Sequence, residues 1–345
     1  MLKRNIQFYL IDLLLLAAIF GGGGFYYWRL NHESSSVADA IVGKINEQNC
    51  ESRRKIDGAC IDGKTESFVY AAMIDNMNVA RPAYGLSRAS LVYEAIAEAP
   101  ITRFIAFFSG DEKIDRIGPV RSTRPYYVDW VKEINGVYSH VGGSPDALMT
   151  LLNYDFDLNE FTSNEYFWRS DNHLAPHNVF TSSDLVLKAI EEKNWQLPAD
   201  FGSWIFKPDA AMADRPEAQT VSVDFANPVY NVKWEYGKET NDYLRSEGGV
   251  AQKDADNGAE IRAKNVAVMY VSSRVIDAVG RRSTKTIGGG EAVVFQDGKA
   301  TTGTWKRDGL NSRTRFFDDA GKEISFNAGT TWIEAVPGHF PKVSW

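Results

Sequence analysis

Three arginines, Arg103, Arg121 and Arg124, stand among glycine, proline and aromatic residues and not on a charged helical face. The last two lie in the run Ile117-Gly-Pro-Val-Arg-Ser-Thr-Arg-Pro-Tyr-Tyr-Val-Asp-Trp130. A guanidinium in apolar surroundings must be paired, because an unpaired buried charge is costly. Its planar fork fits carboxylate or phosphate oxygens. Two arrangements meet that demand: an internal network with Asp75, Glu94, Glu98 or Asp129, or a bound anion. Gly118-Pro119 forces a tight, extended approach, so Arg121 and Ser122 emerge from a strand end before a helix that Pro125 begins. The free N–H groups and positive dipole of that helix start point the same way.

A second constellation is Gly142-Gly143-Ser144-Pro145-Asp146. Glycines ahead of a helix let backbone approach a ligand closely, and Ser144 can cap a helix that Pro145 opens. No Gly-Lys-Ser/Thr follows, so this is not a phosphate-binding P-loop, and it is not a Gly-x-Ser-x-Gly elbow. A plain turn with a cap is the competing reading. His140 sits directly before it at a strand end, as a candidate functional or satisfied histidine. His173 and His177 are interrupted by Pro176, which prevents a regular helix from presenting both as metal ligands. Asp75-Asn76 at a strand end suits a ligand site or a turn. Asp254-Ala-Asp-Asn-Gly258 opens like a calcium loop, but the position that should hold the closing glutamate is Lys264. Trp204, Trp234, Trp305 and Trp332 read as core.

These residues need elements to position them. Short apolar runs bounded by turn residues predict strands at Ser67–Ile74, Leu91–Ile96, Thr102–Phe108 and Gly136–His140. Helices are predicted over 125–134, 145–152 and 184–193, the last capped by Ser182 or Ser183. Strands alternating with helices give an α/β layered domain over 67–205. The second half reads as short strands at 221–225, 229–236, 243–245, 265–271, 292–295, 301–306 and 331–335. Asp297-Gly298 between two of them is a hairpin signal. Residues 215–340 are therefore expected to be mainly β, and the whole chain α+β.

Ahead of both halves, Lys3 and Arg4 precede an apolar run from Ile6 to Trp28. That length spans a bilayer as one helix, and the charge placement leaves the remaining chain outside the cytoplasm. Residues 1–29 are read as an uncleaved anchor, with a cleaved signal peptide as the alternative. Asp12 within the run marks pairing with a partner helix or a shallow position. Residues 30–66 read as a polar tether. Cys50 and Cys60, the chain's two cysteines, suit a disulfide in an oxidising compartment. A formal net charge of −7 and a pI near 5.4 argue against general nucleic-acid binding.

The motifs Met73-Ile-Asp-Asn-Met77, Ala80-Arg-Pro82, Gly85-Leu86, Val92-Tyr-Glu94 and Ile101-Thr-Arg-Phe104 occur in order. They are followed by Ile117–Pro125, Gly142–Pro145 and Ala175-Pro-His-Asn178. Together they resemble the YerB-like extracytoplasmic lipoprotein family. Asp254, Asn265-Val266, Gly303-x-Trp305 and Gly329-Thr-Thr-Trp332 resemble that family's second domain. The resemblance implies an envelope location and a two-domain layout, with no reaction attached. The chain lacks a lipobox cysteine, so anchoring by a helix is expected. The candidate ligand-binding set is Asp75, Asn76, Glu94, Arg103, Arg121, Ser122, Arg124, Gly142, Gly143, Ser144, His177 and Asn178. A weaker similarity to the LytR-CpsA-Psr ligases implies an arginine clamp for a polyprenyl pyrophosphate, with Mg²⁺ held by acids. Ser90 and Ser122 stand where those acids are expected. The sequence thus favours binding of an anionic cell-wall or lipid-linked phosphate, with no resident metal. The alternatives are a scaffold for another envelope protein and a ligase-like phosphotransferase.

Overall fold

Val69–Asp75 (β1) is buried at every position, as are Asn265–Val271 (β9), apart from Tyr270, and Thr331–Pro337 (β13). Strands with no polar face belong in the middle of a covered sheet. The computed structural model places them there, and it describes residues 50–61, 67–198, 201–338 and 343–345. Leu91–Glu98 (β2) and Ile101–Ser109 (β3) form an antiparallel pair, and β1 adds to β3 in antiparallel register, Asp75 opposite Arg103. Val137–His140 (β4) and Asp157–Asn159 (β5) extend that side in parallel.

The chain's two halves share this sheet. β2 pairs in parallel with β13, which pairs in parallel with β9. Beyond β9 come Gly288–Gln296 (β10), Lys299–Arg307 (β11) and Arg315–Asp318 (β12). The result is one ten-stranded sheet in the order β12-β11-β10-β9-β13-β2-β3-β1-β4-β5. Residues 53–345 accordingly form a single compact unit. The segments 67–205 and 215–340 remain distinct stretches of chain, but their central strands are hydrogen-bonded neighbours. A second sheet contains Thr220–Val223 (β6), Val232–Gly237 (β7) and Asp242–Glu247 (β8). In β7 and β8 buried and less buried residues alternate, as expected of a sheet with one wet face.

Among the described residues three α-helices cover the first half: Pro125–Lys132 (α1), Pro145–Leu151 (α2) and Ser183–Glu192 (α3). The fold is α+β and dominated by strands. α1 is fixed to the β2–β3 pair by its tyrosines. Tyr126 donates a 2.7 Å hydrogen bond to Ile96 O and Tyr127 one of 2.7 Å to Ala95 O, and Trp130 stacks on Tyr93 at 4.7 Å. Ser182 caps α3 by accepting from Leu185 N–H, as expected. Ser144 starts α2 but makes no capping hydrogen bond, which corrects the cap expected there. The Asp297-Gly298 hairpin forms between β10 and β11, with both residues at positive φ, as a two-residue turn of that type needs.

Cys50 and Cys60 are both disulfide-bonded. The expected anchor, 1–29, and most of the tether lie outside the described residues. Among the described residues no helix is long and apolar enough to cross a membrane.

Candidate anion site

The loop 121–124 runs beside the glycine turn 142–144. Thr123 N–H donates to Gly142 O, and Val141 N–H donates to Arg121 O. Both glycines are needed. Gly142 has φ +56°, and a Cβ there would stand 2.6 Å from the Phe161 ring. A Cβ on Gly143 would stand 2.8 Å from the Thr123 side chain. The sequence motifs Arg121–Arg124 and Gly142–Ser144 are therefore one piece of structure, at the starts of α1 and α2.

Glu98, at the end of β2, ties two of the three arginines together. It accepts from Arg103 at 2.7 Å and from Arg124 at 2.5 Å. Arg103 also donates to Ser122 O, and Arg124 to Thr123 O. Burial works to raise the Glu98 carboxyl, but Arg103 and Arg124, with Arg121 behind them, hold it below its ordinary value. Arg121 is placed differently. Its Nε lies 3.0 Å from Asp75 Oδ2 without hydrogen-bond geometry, and no hydrogen bond from the Arg121 guanidinium forms among the described residues, although its backbone N–H donates to Met73 O. Asp75 is already engaged by Met77 N–H at 2.9 Å and His177 Nδ1 at 2.6 Å. Burial pulls the Arg121 guanidinium below its ordinary value, Asp75 opposes this, and Arg103 and Arg124 add to it.

The internal-network reading is thus met in part: Glu98 and Asp75 serve three arginines. The charge left over is not spread evenly. Arg124 and Ser144 line a cavity of about 340 Å³ together with Arg274, Arg281 and Arg282. The last three come from a hairpin, Ser273–Val275 paired with Arg282–Thr284, that reaches across from the C-terminal half. It docks on the β2–β3 turn through Ala99 N–H donating to Gly280 O. Arg281 is held by Asp277, whereas the hydrogen bonds of the Arg282 side chain among the described residues go to the hydroxyl and carbonyl of Ser273. Burial lowers the Arg282 guanidinium, and no carboxylate opposes it. Ser144 Oγ is buried without a hydrogen-bond partner. The cavity holds Asp146 and Asp277 as its acids against four arginines. A phosphate-sized anion would supply the missing charge and accept from the hydroxyl.

Of the expected set Arg124 and Ser144 line this cavity, and three other members belong to separate networks. Asn76 and Glu94 belong to a separate network that links β2 to Arg245 and Glu247 of the second sheet. Glu94 accepts from Arg245 and from Thr102 Oγ at 2.7 Å, and Asn76 donates to Glu247 at 2.7 Å. Asn178 accepts from Arg169 on the surface. His140 is buried between Gly142 O and Asp157, so it is a satisfied histidine. Asp254 accepts from the backbone of Gly85 and Ser87, tying a loop of the first half to the second. That explains the turn without calcium. Among the described residues no group of three or more His, Cys, Asp or Glu could hold a metal ion. Ser90 and Ser122 stand where a ligase-like metal would need acids, and Ser90 donates to Asp57 at 2.6 Å. The residues present do not fit the Mg²⁺ that the ligase similarity implies.

Arg274, Arg281 and Arg282 were not legible as site residues. They look like an ordinary basic hairpin until the β2–β13 pairing brings the halves together. The available signal was local: four basic residues between 274 and 285 in an acidic chain.

A strand-rich α+β unit with an arginine-lined cavity shared by two chain segments defines the class of protein. The chain belongs to the family described as protein of unknown function DUF3048. Its N-terminal domain matches over residues 59–196 and its C-terminal domain over 221–333. The chain is 36% identical over 284 residues to YerB of Bacillus subtilis (strain 168), whose name marks it as a candidate lipoprotein. That similarity covers 79% of this chain and 82% of the relative. The crystal structure of YerB from Bacillus subtilis superposes with a TM-score of 0.76 at 32% identity, covering 86% of this chain and all of the other.

Proposed function

We propose that this protein is an extracytoplasmic envelope protein, anchored by residues 1–29, that binds a phosphate-bearing anion between its two halves. The observation that carries the reading is Arg282: half-buried, with no carboxylate partner among the described residues, in a cavity where four arginines meet two acids. The lipoprotein name of the Bacillus subtilis relative supports the location. The ligand class is a phosphate or diphosphate, free or lipid-linked, because bidentate arginine recognition suits those oxygens. Serines at positions 90 and 122 favour binding without turnover.

The test is calorimetric titration of the full chain, in mild detergent, with inorganic pyrophosphate. Saturable binding is expected, weakened about tenfold by Arg282→Ala, in line with loss of one charge-assisted contact. Arg282 is the informative position because its removal strands no carboxylate. Wild type that gives no heat, or a variant that binds equally well, refutes the assignment.

A further inference from the structure

The hairpin that supplies three of the cavity's arginines also exposes a cluster of apolar side chains. Val275, Ile276 and Val279 are 54%, 48% and 65% exposed. They sit at and around the tip, and Ala278 between them is exposed too. A two-stranded hairpin is marginal on its own, yet this tip is held in shape. Asp277 accepts from the N–H groups of Val279 and Arg281 and from the Arg281 side chain, and Ile276 N–H donates to Arg281 O. The one acid of the tip is therefore spent within it. Flanking the tip are Arg274, Arg281, Arg282 and Lys285, a basic segment on a chain whose formal net charge is −7.

Apolar side chains at a tip with arginines behind them match one surface: the interface of an anionic bilayer. The apolar residues enter at the headgroup boundary, and the basic residues meet the lipid phosphates. We infer that the 273–284 hairpin docks on an anionic membrane surface, and holds the mouth of the arginine cavity against it. The sequence supplies the opportunity. The expected anchor, residues 1–29, precedes the compact unit in the chain. The inference goes beyond anion binding, which needs no membrane contact by the hairpin.

The full chain is reconstituted in phosphatidylcholine vesicles with or without phosphatidylglycerol. Val279→Cys carries an environment-sensitive fluorophore; both native cysteines are disulfide-bonded and do not label. Lys322→Cys, in the exposed turn after β12, is the control position. The lipid carries a quencher at the headgroup boundary. Quenching and a blue shift are expected at position 279, not at 322, and only with phosphatidylglycerol. Arg274→Glu is expected to cut the quenched fraction by about half or more. Absence of quenching at 279, or equal quenching at both positions, overturns the inference. Pyrophosphate binding kept while quenching at 279 is absent sinks the docking and leaves the anion site standing. Quenching without pyrophosphate binding sinks the anion site and leaves the docking.

Discussion

Glu94 and Glu98 are on the same strand, β2, and each is bound by arginine, but their surroundings differ. Glu94 lies opposite Glu334 across the β2–β13 pair, in the register where like charges repel. Arg245 enters from the second sheet and binds Glu94 and Glu247, with Trp332 packed on its guanidinium at 4.7 Å and Arg81 holding the other Glu247 oxygen at 2.7 Å. Burial drives the Glu334 carboxyl well above its ordinary value, with Glu94 adding to the shift, and burial pushes Glu247 up to about 7. Glu334 Oε2 accepts no hydrogen bond, as a protonated carboxyl allows. The upward shift favours the neutral form of Glu334, which leaves Glu94 and Glu247 facing Arg245 and Arg81. At Glu98 arginines outnumber acids and the cavity is open. The cluster around Glu94 joins the halves with its acids and arginines matched, and the one at Glu98 is left with charge to offer a ligand.

Four changes test that contrast, taken from the largest effect down. Arg245→Ala leaves the buried Glu94 carboxylate without its cation and Glu247 with Arg81 alone. It is expected to cost about 3–5 kcal/mol by urea unfolding, against little change for Arg282→Ala. Similar losses at both positions would erase the distinction. Next is pH. Glu247 binds its proton more tightly folded than unfolded, so the stability it contributes is present below about 4.5, its ordinary value, and fades as pH rises to about 7. In Glu247→Gln about 3 kcal/mol of that decline is expected to vanish, read from unfolding curves across the window. An unchanged slope would assign the proton elsewhere. Arg282→Ala, third, is the roughly tenfold loss of pyrophosphate affinity already stated. The smallest is Ser144→Ala. The hydroxyl caps nothing, so melting temperature should hold, while affinity falls a few-fold if Ser144 Oγ donates to the anion. A clear drop in melting temperature would make Ser144 structural.

What the sequence revealed follows the range of the interactions involved. The strands at 69–75, 91–98, 101–109, 265–271 and 331–337 were legible because burial on both faces writes a continuous apolar run. Asp297-Gly298 and Ser182 were legible because turn and cap chemistry is local. Arg103, Arg121, Arg124 and Ser144 were found because they punctuate a Gly/Pro-rich stretch. The sheet shared by both halves was not legible, since the parallel pairing of Leu91 with Thr331 spans most of the chain. Everything that depends on it was hidden with it: Glu94 and Asn76 drawn into the Arg245 network, and Arg274, Arg281 and Arg282 brought over Arg124 and Ser144.

The most direct measurement is native mass spectrometry of the full chain, extracted gently from its host membrane, beside Arg282→Ala. A phosphate-bearing adduct on wild type that is absent from the folded variant is the predicted result. The same bare mass for both proteins, with no adduct formed when pyrophosphate is added, would contradict an anion site in the cavity between the halves.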